Sequence, residues 1–227
     1  MEMEITLPNE LPVMTLPNVV FFSQALMPLH IFEPRYQQML RDALATNRLF
    51  AVAGLDLTSS EETGRSEPPQ RVASVGIIRA CQKNENGTAN LLLQGLCRVE
   101  ITHIVTEEPY RRIRVRALPS LPGASPEDNH QLRSELSRLL TLKVKLANDG
   151  ATELASFLKT VDDPEAFVDI AAFTLGEDVH FKQRLLETLD VHRRLKLFRD
   201  KINGQIAELK LQRKLQGRLP DDRISDN

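Results

Sequence analysis

The sequence predicts an α+β protein, strand-rich in its first half and helical in its second. Two observations carry this. Up to about Ala117, short runs rich in Val, Ile and Leu are bounded by turn residues. After "LPSLPGASPED" the apolar spacing changes to that of helices, and helix-start signals recur. We therefore expect a β-rich domain over 1–122, an α-helical bundle over 123–218 and a disordered tail over 219–227.

The expected strands are "VMTL" (13–16), "LFAVAG" (49–54), "VASVGIIRAC" (72–81), "ANLLLQG" (89–95), "CRVEITHIV" (97–105) and "YRRIRVRAL" (110–118). Asn86-Gly87 supplies the positive φ angles of a tight hairpin between the third and fourth. Gly95 suggests a sharp bend or bulge into the fifth. In the sixth, Tyr110, Arg112, Arg114 and Arg116 share one face, opposite Arg111, Ile113, Val115 and Ala117. One helix interrupts this half. "EPRYQQMLRDALATN" places Tyr36, Met39, Leu40, Ala43 and Leu44 on one stripe, with Pro34 in the first turn and Asn47 as a left-handed cap. Leu29 and Ile31 alternate with Pro28 and His30, as in a strand entering that helix. The segment 58–70 holds no apolar residue and predicts a mobile acidic excursion.

In the second half, Ser125 reads as an N-cap with Pro126 at N1 and Asp128 at N3. Leu132, Leu136, Leu139 and Leu140 then line a helix ending near 148–150. "ATELASFLKT" is a second helix. A third, capped by Asp163, buries Phe167, Ile170, Ala171 and Thr174, and "VHFKQRLLE" is a fourth, opened by Asp178. The last helix begins at Asp190 with Val191, Leu195, Phe198, Ile202, Ile206 and Leu209 on one side. Unbroken to Gln216, it would span roughly 40 Å.

Composition narrows the function. With 29 Lys+Arg against 31 Asp+Glu, net charge is -2, so no global case exists for a nucleic-acid or membrane-surface partner. Cys81 and Cys97 form no CxxC pair and lack histidines at zinc spacing, so they read as small buried hydrophobes. No Walker loop, HExxH or GxSxG occurs, and the five histidines show no i, i+4 pairing. No metal and no cofactor is expected. No signal peptide and no apolar run near ~20 residues is present, so a soluble cytoplasmic protein is expected.

"LMPLHIFEPRY" (26–36) is the densest polar stretch. A catalytic use would need His30 and Glu33 to face one pocket with Arg35 holding a substrate anion. Local structure accounts for the same residues. Glu33 suits the positive end of a helix dipole, and Arg35 and Tyr36 fall in the first turn. No enzyme is expected.

Three co-linear blocks resemble the amino-terminal domain of the Lon protease family, especially its stand-alone bacterial relatives. They are "LPNVVFFSQALMPLHIFEPRYQQMLRDAL" (16–44), "SVGIIRACQKNENGTANLLLQGLCRVEI" (74–101) with its "G-x-x-R" segment, and "FVDIAAFTLGEDVHFKQRLLETLDVHRRLKLF" (167–198). The resemblance implies a PUA-like pseudo-barrel of about six strands with one helix, joined to a helical bundle. It further implies a non-catalytic module that captures unfolded or degron-bearing polypeptides, an adaptor or chaperone-like protein of quality control, with a protease as a further candidate partner that it would either assist or compete with. Ser23 stands where relatives commonly have proline.

Exposed apolar side chains near the loop before the first helix are the candidates for binding polypeptide: Phe21, Phe22, Met27, Phe32 and Tyr36. Phe21 and Phe22 are adjacent, so in an extended stretch they face opposite ways and one of them should be exposed. The alternative is an RNA-binding module using Arg112, Arg114 and Arg116 with Arg111, although aromatic residues for base stacking are sparse. The apolar side of the long final helix would suit self-association.

Overall fold

The computed structural model describes residues 7–56, 67–147, 152–176 and 178–216. The centre of the expected excursion (57–66), the "NDG" of 148–150 and the tail lie outside the described residues. Six strands and the first helix come first: β1 (Glu10–Leu16), β2 (Leu26–Ile31), α1 (Pro34–Ala45), β3 (Leu49–Gly54), β4 (Val72–Lys83), β5 (Ala89–Thr106) and β6 (Arg112–Ala117). Five helices follow: α2 (Pro126–Ala147), α3 (Thr152–Lys159), α4 (Pro164–Leu175), α5 (Val179–Glu187) and α6 (Val191–Gln216).

The sheet runs β2-β5-β4-β3-β1-β6, and β6 returns to pair with β5. Five strands thus close on themselves. β2 is left outside the ring, against the first half of β5, while β6 takes the second half. Closure explains the burial of Leu11, Val13, Leu49, Ala51, Ala53, Ala73, Val75, Val99 and Ile113, which point inward from all five strands as one cluster. Among the described strands only β1 and β3 pair in parallel. A parallel pair needs a long crossover, and β2 with α1 provides it. All six residues of β3 are buried, because this strand is covered on both faces.

Several local details differ from expectation. The segments 89–95 and 97–105 are one strand, with a register shift where Val75 pairs Cys97 and Gly76 pairs Gly95. The bulge is present, but it bends the strand instead of ending it. In the hairpin only Gly87 is left-handed (φ 82°), while the Asn86 side chain accepts from the Thr88 N–H. After α1 the left-handed residue is Arg48 (φ 62°), not Asn47, whose side-chain oxygen accepts from the Leu49 N–H. Tyr110 does not share the arginine face. It precedes β6, is buried and donates its hydroxyl to Asp42 of α1 at 2.8 Å.

The chain divides into two compact units, Met1–Leu121 with Asp169–Leu189, and Pro122–Val168 with Asp190–Asn227. This differs from a single cut at 122/123, because 169–189 groups with the barrel. The division falls inside α4. In that helix Thr174 is exposed and Asp169 fully buried, the reverse of what apolar spacing suggests.

In the second unit, Leu132, Leu136, Leu140 and Val144 of α2 and Leu195, Phe198, Ile202 and Ile206 of α6 form the buried stripes. The cap at Ser125 is as expected, its hydroxyl accepting from the Asp128 N–H at 3.1 Å. Asp163 accepts from the Ala166 N–H at 2.7 Å and Asp190 from the Arg193 N–H at 2.8 Å, so the helix starts are fixed by side chains visible in the sequence. α6 runs unbroken through Gly204 to Gln216.

Candidate functional site

The polar stretch 26–36 resolves into two structural groups. In one, Arg35 donates to Glu33 at 2.8 Å and to both carboxylate oxygens of Glu67 at 2.7 and 3.1 Å. The guanidinium also lies 4.6 Å from the Tyr36 ring centre. The bidentate bond from Arg35 holds the Glu67 carboxyl below its ordinary value and raises that of Arg35 in turn. Tyr36 donates to the Thr15 carbonyl at 3.3 Å, and burial pushes its hydroxyl up. This group fastens the start of α1 to β1 and to the chain before β4.

In the other group, His30 is bonded to Asn90 at 2.7 Å and stacks on Phe32, ring centres 6.0 Å apart at 22°. His30 and Glu33 therefore serve different partners, and the pairing a catalytic reading would need is not made.

Phe21 and Phe22 are both buried, at 1% and 0% exposure. The expectation that one would be exposed fails because the stretch is not extended. Asn18 and Gln24 have positive φ (57° and 63°), and the Ala25 N–H turns back to the Phe22 carbonyl. With the chain coiled this way, both rings reach the core. Phe21 meets Phe173 edge-on at 6.2 Å. The Phe22 carbonyl passes over Gly95, where an added Cβ would lie 2.0 Å from the oxygen, so no other residue fits there. Met27 and Tyr36 are buried as well. Of the five aromatic and methionine candidates only Phe32, 62% exposed, reaches the surface.

Phe32 does not stand alone. Among the described residues β2 pairs with β5 alone, so its other edge carries no strand from them. The Gly95 N–H bonds the Ala25 carbonyl, which sets odd-numbered residues of β2 with their backbone groups toward β5 and even-numbered ones away from it. Pro28, which has no N–H, falls on the free edge where none is needed. The even-numbered side chains share one face. Leu26 (52% exposed), Pro28 and His30 lie there beside Gln94, Leu92 and Asn90 of β5, while Met27 and Ile31 face the core. Leu26 is thus the exposed residue where the sequence reading selected Met27. Counting by twos back from Phe32 would have found it.

The arginine strand is largely neutralised. Arg112 and Arg114 pair with Glu10 at 3.5 and 3.1 Å, and Arg111 with Glu107 at 2.7 Å. Arg116 and Arg71 both bond Glu100, and these bonds, Arg116 first, hold the Glu100 carboxyl below its ordinary value. A surface in which each cation has a carboxylate neighbour offers little field to a polyanion.

The residue with the most structural consequence is Arg98, the arginine of "G-x-x-R". It is 2% exposed and donates to both oxygens of fully buried Asp169 at 2.6 Å. It also reaches the Leu186 carbonyl at 3.2 Å and Ser120 at 3.3 Å. One guanidinium thereby clamps α4 and α5 to β5. Gln183 adds a second tie, donating to the Val72 carbonyl at 3.0 Å. These contacts are why 169–189 belongs with the barrel.

A closed mixed barrel with one outlying strand, a crossover helix and helices clamped to its wall is the architecture of Lon amino-terminal domains. The amino-terminal domain of a Mycobacterium avium complex Lon protease superposes with a TM-score of 0.66 at 18% identity, covering 86% of this chain and 98% of that one. A Lon amino-terminal domain protein from Xanthomonas campestris gives 0.59 at 22% identity, covering 82% and 95%. The sequence profile of the ATP-dependent protease La (LON) substrate-binding domain matches residues 10–203, and the chain belongs to that family. A Lon protease of Syntrophus aciditrophicus (strain SB) is 30% identical over 221 residues, which is 95% of this chain but 28% of the relative. Lon protease 2 of Myxococcus xanthus is 24% identical over 209 residues, 92% of this chain and 25% of the relative. The chain thus spans about a quarter of the length of these curated relatives. Among the described residues no helix is long and apolar enough to cross a membrane.

Proposed function

We propose that this protein is a non-enzymatic polypeptide-recognition module, acting as an adaptor or chaperone-like partner of a protease in quality control. One observation carries the reading. Leu26 and Pro28 on an outlying strand and Phe32 just past its end, apolar and exposed, alternate with buried Met27 and Ile31 beside the polar tips of His30, Asn90 and Gln94. Apolar area flanked by amide and imidazole groups suits an unfolded chain, whose side chains need burial while its backbone needs hydrogen-bond partners. Membership in a family described by substrate binding supports the same reading.

The test is anisotropy of a labelled, permanently unfolded polypeptide at low and high salt, for the wild type and a Leu26→Ser/Phe32→Ser double variant. Both positions are exposed, so the circular dichroism should not change. Salt-insensitive binding that weakens at least tenfold, about 1.4 kcal/mol, in the variant is expected. Equal affinity in both proteins would overturn the assignment of the surface. Single-stranded RNA serves as the contrasting ligand. Tight RNA binding that collapses with salt would move the function to the arginine strand.

A further inference from the structure

A second feature of the barrel unit is a cavity that none of the β2 residues lines. A cavity of about 370 Å³ is walled by the β1–β2 loop (Pro17–Val20), the end of β3 (Gly54–Asp56), Gln70 and one face of α5. The α5 residues are Val179, His180, Gln183, Arg184 and Glu187, spaced as a single helical face. The volume falls in the range of about 300–1,000 Å³ found for small-ligand sites. It has room for one or two residues of a polypeptide and none for a folded element.

The chemistry of the wall is specific. The Gln183 amide nitrogen donates to the Val72 carbonyl and to Glu187, both at 3.0 Å. Both partners are acceptors, so the nitrogen must face them and the amide orientation is fixed. Its oxygen is then left buried without a hydrogen-bond partner among the described residues. It lies on the side of Gly54, 3.9 Å from where a Cβ would be, and the Val19 carbonyl oxygen lies 3.1 Å from the same point. Two acceptors therefore converge where β3 has no side chain. A buried acceptor left without a donor is costly, and a bound N–H would recover that cost. Arg184 and His180 stand on the same wall one helical turn apart, and neither has an ion-pair partner among the described residues. Val19, Val20, Leu55 and Val179 supply the apolar lining.

An occupant that satisfies all three features offers an N–H, an apolar side chain and an anion within one residue's length. We propose that this cavity receives the carboxy-terminal residue of a polypeptide, with its N–H toward Gln183 Oε1, its apolar side chain against Val20 and Val179, and its carboxylate on Arg184 with His180. The proposal rests on the polypeptide-recognition reading and gives it a preference for chain ends.

The probe is an N-acetylated pentapeptide ending in leucine, titrated into ¹⁵N-labelled full-length protein, beside its carboxy-terminal amide and hexanoate. The free acid should shift the amide resonances of Val19, Gly54 and Val179 and bind at least tenfold more tightly than the amide. Arg184→Gln, an exposed position, should erase that difference. Equal affinity of acid and amide, or shifts confined to other residues, would overturn the proposal. Hexanoate binding as tightly as the peptide would overturn the assignment to a chain end, because the N–H would then contribute nothing. The Leu26→Ser/Phe32→Ser variant should bind the pentapeptide normally. Failure at this cavity is therefore separable from failure of the outer face of β2.

Discussion

Asp169 sits at 0% exposure with both carboxylate oxygens 2.6 Å from the Arg98 guanidinium, so replacing Arg98 by Met strands a buried charge. Breaking a buried pair from one side costs about 3–5 kcal/mol, because the partner keeps its desolvation penalty and loses its compensation. At roughly 2–4 °C per kcal/mol for a chain of this size, the melting temperature should fall by about 10 °C. Asp169→Leu alone should cost about as much, because the buried guanidinium loses its carboxylate. The double variant Arg98→Met/Asp169→Leu removes both charges and replaces them with apolar volume, which is often close to neutral. It removes the bond to the Leu186 carbonyl, so we expect a residual cost of about 1–3 kcal/mol. The chain has no Trp, and both tyrosines, Tyr36 and Tyr110, lie in the barrel unit. Urea unfolding followed by tyrosine fluorescence therefore reports the unit that holds the ion pair. A single variant costing under ~1 kcal/mol, or a double variant costing the sum of the singles, would refute the clamp.

Other expectations follow from single contacts. Gly95→Ala places a Cβ 2.0 Å from the Phe22 carbonyl oxygen, so it should cost at least about 3 kcal/mol in the same urea assay or abolish soluble expression. Gly204→Ala meets nothing within 4 Å in the middle of α6, and should stabilise the helical unit by about 1 kcal/mol, read by circular dichroism during urea unfolding. Glu67 has its folded value lowered by Arg35, so its contribution is fully present above its ordinary value of 4.5 and is lost as pH falls below that. The pair is about 40% exposed on each side, so the loss should stay under ~1 kcal/mol. Comparing urea midpoints at pH 5.5 and 3 for wild type and Glu67→Gln measures it. Burial raises the Cys97 thiol, so its alkylation by iodoacetamide at pH 8 should be slower than that of a model thiol.

How much of this was legible beforehand depends on the range of the forces involved. Helix starts were readable because a capping side chain meets a backbone N–H three residues away. Ser125, Asp163 and Asp178 each do so. The strands were readable because alternation along them is local, as Arg112 out and Ile113 in illustrate. The candidate site was read only in part. Phe32 is exposed as expected, while Phe21 and Phe22 turned inward because residues 17–25 coil instead of extending. Their two positive φ angles fall on Asn18 and Gln24, and the glutamine gives little warning of one.

The sequence by itself determined the α+β class, the order of the elements, the side-chain caps at Ser125, Asp163 and Asp178 and the membership suggested by three co-linear blocks. Tertiary structure alone decided that β6 returns to β5 and closes the ring, leaving β2 outside it with Leu26 exposed. It alone decided that Asp169 is buried and that 169–189 joins the barrel. The reason is physical. Caps and alternation act over three or four residues, whereas the bond between Arg98 and Asp169 joins positions 71 apart, and that between Gln183 and Val72 joins positions 111 apart. Polarity along the chain carries no mark of which distant partner will take a charge out of water.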